Sequence, residues 1–311
     1  MGRAMKRRSA GGGLSVVPDY VRGRVSASIG ALFSRGSYPL AGTLGYAGDP
    51  GLFGPDSMTW PVVGDAAVFV GGIRALLVQA AHPEVAAGVA EHSRYRQDPL
   101  GRLTRTAAYV TATSFGAMPE AESAVSLVRR RHGPVTGMSA RGKPYDASNP
   151  ALSAWVHNAL TDSLLAAYRH YGARLCDERD ADRFVAEQRR VGALLGAEPL
   201  PATARSLTCW IDEHPALASS VEGDEAIRFL RDPPLPRAVR VGYGVLFRAA
   251  VATVPNRIVQ ISGLSRRPGD AQIGRAAVAA LRWCLGSSPD WQRAQARCEA
   301  RSTPSGDRSP Q

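Results

Sequence analysis

The sequence predicts an all-α fold, a single globular multi-helix bundle, on three observations. Apolar residues recur at three- and four-residue spacing through most of the chain, β-branched alternating runs bounded by hairpin turns are scarce, and Pro and Gly stand at the joints between periodic segments. With 311 residues and 44% hydrophobic composition the chain can bury a large core. No internal repeat and no long linker divides it, so residues 21 to 299 read as one domain.

The ends, residues 1 to about 20 and 300 to 311, are polar and rich in Gly, Ser and Pro, and are expected to be disordered. The first strong helix spans about Asp65 to Ala81, with Val68, Ile73, Leu76, Leu77 and Ala80 as its packing residues. Pro83 suits the first turn of the next helix, to about Ser93, and leaves His82 at the junction. Asp98 is placed to cap a helix from Pro99 to Phe115. Pro119 opens a helix through His132, ended by Gly133-Pro134, and Met138 to Pro150 reads as a loop. Pro150 begins a long helix through Tyr171. Further helices are expected at about 179 to 195, 202 to 216, 222 to 230, 237 to 253 and 269 to 286, separated by Pro-rich joints.

The formal net charge is +11, and of 38 basic residues only Lys6 and Lys143 are lysines. Arginine forks grip carboxylates and phosphates bidentately, so an acidic ligand fits this surplus as well as nucleic acid does. A coding bias raising Arg, Ala and Gly together gives the same composition with no ligand at all. Residues 94 to 143 hold nine basic against three acidic side chains, a surplus of 6 (9 − 3) and more than half of the total.

Cys176, Cys209, Cys284 and Cys298 are far apart and form no C-x-x-C pair, which argues against zinc or dithiol redox work and fits reduced thiols in the cytoplasm. Lys6-Arg7-Arg8-Ser9 is faintly similar to a twin-arginine signal. The Ala10 to Val17 run that follows is too short and Gly-rich for its apolar region, so export is not expected. No run approaches the roughly 18 apolar residues that span a bilayer.

H-E-x-x-H, G-x-S-x-G, Walker and G-x-G-x-x-G signatures are all missing, which disfavours a zinc protease, a standard serine hydrolase, a kinase or a dinucleotide enzyme. Attention falls on six histidines: His82, His92, His132, His157, His170 and His214. His132 follows Arg129-Arg130-Arg131 at the end of a predicted helix whose opposite face carries Val125, Leu127 and Val128. A neutral imidazole there can ligate heme iron, with arginines beside it for the propionates. It can equally serve only the helix dipole. Arg102, Arg105 and Thr106 share one helical face and can donate hydrogen bonds to an anion or to dioxygen, or can form a plain solvated basic face. His170 and His214 are expected at the surface.

Several ordered blocks resemble the DUF2236 family, which includes the latex-clearing rubber oxygenases and the MpaB-type oxygenases. They are Gly64-Asp65-Ala66-Ala67, Gly71 to Leu77, His82-Pro83, Gly88-Val89, His92-Ser93, Asp98 to Thr106, Arg129 to Gly137, and Trp155 to Ser163. The likeness covers roughly residues 60 to 175 well. It implies a helical bundle enclosing a b-type heme, with Arg129-x-x-His132 similar to the block whose histidine is the proximal iron ligand. Arg102-x-x-Arg105-Thr106 is similar to the distal R-x-x-K-T block, with Arg105 where the rubber oxygenases carry lysine. Arginine stays protonated and is a very poor iron ligand.

By the same resemblance His132 is the metal ligand, Arg102, Arg105 and Thr106 are the catalytic pocket, and Arg129 stands beside the cofactor. His92 either bonds a propionate or caps its helix, and Tyr145 either contacts a propionate or is an ordinary loop tyrosine. His157 either lines the pocket, as an alternative ligand, or is a hydrogen-bonded core residue. The family's upstream base has no unambiguous counterpart among Glu84, Glu91 and His82. The expected activity is heme-dependent oxidation of a small apolar organic substrate by dioxygen or peroxide, in a cytoplasmic protein with no specific nucleic-acid partner; a homodimer is allowed. Rubber itself is not expected. The rivals are a non-catalytic heme-binding sensor and a cofactor-free basic protein that docks on nucleic acid or a membrane surface.

Overall fold

The computed structural model describes Gly23 and residues 39–300, and among these the architecture is thirteen α-helices with one two-stranded hairpin. The expected disordered ends lie outside the described residues except for Ala300. In chain order the helices are α1 (Thr59–Gly64), α2 (Val68–Ala80), α3 (Pro83–His92), α4 (Pro99–Phe115) and α5 (Met118–His132). Strands β1 (Thr136–Met138) and β2 (Pro144–Asp146) follow, then α6 (Pro150–Tyr171), α7 (Glu178–Leu194), α8 (Ala204–Asp212) and α9 (Val221–Arg231). The chain closes with α10 (Arg237–Thr253), α11 (Asn256–Ile261), α12 (Asp270–Leu285) and α13 (Pro289–Glu299).

The core is built on α2 against α6, with α10 packed on α2 and α12 on α10. Gly71 lets α2 and α6 approach: a Cβ there would stand 3.1 Å from Leu164 Cα and 3.2 Å from the Ser163 carbonyl oxygen. Trp155, Leu77, Phe184, Leu207 and Ile211 are fully buried around this pair. Each such side chain contributes about 1.5–3 kcal/mol by leaving water.

Proline and Asx caps set the boundaries that the sequence predicts. Pro83, Pro99 and Pro150 all stand in first turns, the Asp98 side chain accepts from the Gly101 N–H at 2.9 Å, and Asn149 caps α6. Elsewhere the structure departs from expectation. Asp65 does not begin its helix: its carboxylate accepts from Ala67 N–H at 2.8 Å in a turn, and regular helix starts at Val68. The expected loop after Met138 contains β2, paired Thr136↔Asp146, Gly137↔Tyr145 and Met138↔Pro144. Three-residue strands are too short to show alternation, and Gly142 at φ 71° makes the turn between them. The helix expected through residue 216 ends at Asp212, and α1, α11 and α13 are additional. No helix among the described residues is long and apolar enough to cross a membrane.

Candidate functional site

Helices α4 and α5 form an antiparallel hairpin turning at Gly116-Ala117. Arg102 stands 14 residues before Gly116 (116 − 102) and His132 15 after Ala117 (132 − 117). At 1.5 Å per residue both lie about 21–23 Å from the turn, at the same end of the hairpin. Each belongs to an inward stripe: Arg102, Tyr109 and Thr113 on α4, and Ala121, Val125, Val128 and His132 on α5.

The C-terminal end of α3 meets α4 and the strand that follows α5. Arg102 Nη1 donates to the Ser93 hydroxyl. His92 Nε2 lies 3.1 Å from the Thr136 carbonyl oxygen, and the Val135 N–H donates to the His132 carbonyl at 2.8 Å, so the turn after His132 is held beside His92. The Tyr145 ring meets His92 edge-on at 6.1 Å, and its hydroxyl donates to Glu91 Oε2. Arg102, His92, Tyr145 and the His132 turn are thereby brought together. Burial and the Glu91 carboxylate push the Tyr145 hydroxyl up to about 12.

Two of the grouped residues are short of partners. The His132 ring is half-buried and receives no hydrogen bond or ion pair among the described residues; burial lowers its pKa and keeps the imidazole neutral at pH 7. Arg102 is half-buried with no carboxylate partner among the described residues; burial lowers its pKa, Tyr95 opposing and Arg105 adding to the effect. Nearby, the hydroxyls of Tyr95 and Tyr109 are buried without hydrogen-bond partners among the described residues. Buried donors are normally satisfied, so these mark a place where polar groups await one. Sequence reasoning did not single out Tyr95 or Tyr109. Tyr109 was within reach, being seven residues beyond Arg102 on the same helical face.

The remaining expected residues are placed differently. Arg105 is exposed and reaches Asp98 at 3.5 Å, while exposed Thr106 donates back to the Arg102 carbonyl at 3.1 Å. Arg129 is exposed with Arg130 and Arg131. His157 sits on α6 in the interior, its pKa pushed down to about 4 by burial. It lines a cavity of about 10 Å³ with Tyr109, Thr113 and Gln188, room for about one water.

His214 is not at the surface: it is half-buried, its ring 4.7 Å from Trp155 and 4.8 Å from Trp210, because the chain folds back after α8 ends.

The three candidate bases also separate. Glu84 is buried; burial pushes its pKa up, but hydrogen bonds from Arg141 (2.7 and 2.6 Å) and Ser139 (3.1 Å) outweigh that and hold it below the usual range. His82 is pushed down to about 4, by burial first. Only Glu91 lies at the His92 end of α3. Among the described residues no group of three or more His, Cys, Asp or Glu side chains is placed to hold a bare metal ion.

No curated protein and no solved structure matches the chain significantly. Residues 60–283 match the family described as ER-bound oxygenase mpaB/B'/rubber oxygenase, catalytic domain, and the chain belongs to that family of oxygenase catalytic domains.

Proposed function

We propose that the protein is a heme-b-dependent oxygenase that oxidises a small apolar organic substrate with dioxygen or peroxide. The observation that supports this best is the convergence, at one end of the α4–α5 hairpin, of a neutral imidazole, His132, with a half-buried guanidinium, Arg102, the one without a hydrogen-bond partner and the other without a counter-ion among the described residues. That donor set fits heme: one imidazole for iron, and cationic side chains for an anionic group. When bound, the heme supplies the activation of the oxidant.

In this reading His132 holds the iron through its free ring nitrogen. Arg129 and its neighbours balance propionate charge, with His92 and Tyr145 forming the adjoining wall. Arg102, with the buried hydroxyls of Tyr95 and Tyr109, orients the oxidant by hydrogen bonds. Arg105 and Thr106 would stand at the entrance, where Arg105 pairs with Asp98. Glu91 is the base, since Glu84 is engaged by Arg141 and His82 belongs to another part of the bundle. His157 is a buried, hydrogen-bonded core residue that neighbours Tyr109.

The test is expression with heme supplied, followed by absorbance spectra and dioxygen uptake against a panel of linear and branched alkenes. The reading expects a Soret band and uptake that depends on one class of alkene and falls at least tenfold in Glu91→Gln. A colourless protein that refuses added hemin overturns it. A coloured protein without substrate-dependent uptake favours the sensor alternative.

A further inference from the structure

An open cavity of about 420 Å³ lies among His82, Glu84, Lys143, Tyr145, Asn149 and Leu152. Glu84 and His92 are eight residues apart on α3 (92 − 84), about 12 Å along its axis, so this cavity opens toward the other end of α3 from His92, with Tyr145 as the wall it shares with the Arg102 cluster. Its volume is in the range of ordinary small-ligand sites.

The charges in its wall are unequally satisfied. Glu84 is balanced by the two-pronged grip of Arg141. Asp146 turns one oxygen into its own loop, accepting from the Ser148 N–H at 2.7 Å. Lys143 has no acidic partner among the described residues, and it is the only lysine apart from Lys6 in a chain whose other basic residues are all arginine. His82 is 4% exposed, and its Nδ1 has no hydrogen-bond partner among the described residues: Glu84 Oε2 is 3.4 Å away but outside hydrogen-bonding geometry. A buried ring nitrogen without a partner at the wall of a cavity points to a ligand that supplies one. Pro144, Ala151, Leu152 and the ring of Tyr145 make the rest of the lining largely apolar, the first N–H groups of α6 being taken by the Asn149 side chain.

We propose that this cavity binds a singly charged organic anion, a carboxylate with an apolar tail, its head between the Lys143 ammonium and His82 Nδ1–H and its tail against Pro144, Ala151 and Leu152. The Lys143 ammonium and His82 Nδ1–H offer one donor to each oxygen of a carboxylate, and the Asp146 and Glu84 carboxylates in the same wall oppose a dianion such as phosphate. The proposal does not depend on the heme reading.

The lysine count makes the test direct. Reductive ¹³C-methylation keeps the charge and labels only Lys6 and Lys143 besides the chain terminus. Octanoate titrated into the full-length protein is expected to move the Lys143 methyl resonance saturably and leave Lys6 in place, with acetate at least about tenfold weaker because it lacks the tail. His82→Asn is expected to weaken octanoate by about tenfold, and calorimetry on Lys143→Met to show a similar loss. No saturable shift at Lys143, equal shifts at Lys6, or inorganic phosphate binding as tightly as octanoate each overturns the proposal, whether or not the variants fold.

Discussion

Asp162 Oδ2 lies 2.7 Å from Arg74 Nη1 in the interior of the bundle, with both side chains at most 5% exposed. Arg74 also donates to the Ser163 hydroxyl at 2.7 Å and to the Thr253 carbonyl at 3.1 Å, and Thr208 donates to Asp162 Oδ1 at 3.1 Å. The pair therefore ties α2, α6, α8 and α10 together. Breaking it leaves an uncompensated buried charge, so Asp162→Ala is expected to cost about 3–5 kcal/mol in urea denaturation. Arg74→Met combined with Asp162→Leu is expected to cost less than either single change. A double variant as damaged as the sum of the singles would show that the two charges are not coupled.

Acid is expected to weaken the fold in a defined window. His82 and His157 are held at about 4 against an ordinary 6.5, by burial first in both cases. A depressed folded-state pKa means that the unfolded chain binds more protons between these values. Stability is then fully present above about pH 6.5 and lost as pH falls toward about 4, by up to about 3 kcal/mol for each imidazole. Glu84, held below 4.5, adds a loss of the same sign at lower pH. Urea midpoints measured from pH 7.5 to 4.5 check this, and His157→Gln is expected to flatten the slope. A flat profile in the parent would contradict the burial of both rings.

Most of the helical framework was legible in the sequence because its punctuation is chemical. Pro83, Pro99 and Pro150 open helices where first-turn prolines belong, and Asp98 and Asn149 cap them. The family blocks also contain Arg74 and Asp162, although nothing local in them reveals that the two meet. What the sequence hid depends on distant contacts. Three-residue strands carry no period, and His214 is drawn inward by Trp155 and Trp210 from separate helices. Helix α13 had a readable start in Ser288-Pro289, whose serine caps it at 3.4 Å. Its buried Arg297, which donates to the Thr43 hydroxyl and the Phe115 carbonyl, had no such sign. Of the candidate site, the ends of α4 and α5 could be read, but the partnerless hydroxyls of Tyr95 and Tyr109 required the packed structure.

Gly137 is the tightest point in the wall beside His92. A Cβ there would stand 2.3 Å from the Tyr145 hydroxyl oxygen and 2.9 Å from Glu91 Oε2. Gly137→Ala is expected to push Tyr145 off Glu91 and to cost about 1–3 kcal/mol. Ultraviolet titration of the tyrosines is expected to show one phenol moving from about 12 toward the ordinary 10. Unchanged titration would mean that Glu91 does not hold the hydroxyl.

Arg102 offers a contrast between stability and activity. A half-buried cation without a counter-ion among the described residues does little for the fold, so Arg102→Met is expected to leave the urea midpoint unchanged or raise stability by up to about 1 kcal/mol. Substrate-dependent dioxygen uptake is expected to fall at least tenfold. A loss of several kcal/mol in stability would make Arg102 a structural residue.

The central claim is that His132 is the heme ligand. Hemin titrated into the protein and into His132→Ala and His157→Ala, followed at the Soret band, tests it most directly. The account predicts one hemin per chain with a sharp, shifted Soret band in the parent and in folded His157→Ala, and loss or gross alteration of that band in folded His132→Ala. An unchanged spectrum and affinity in His132→Ala would contradict it.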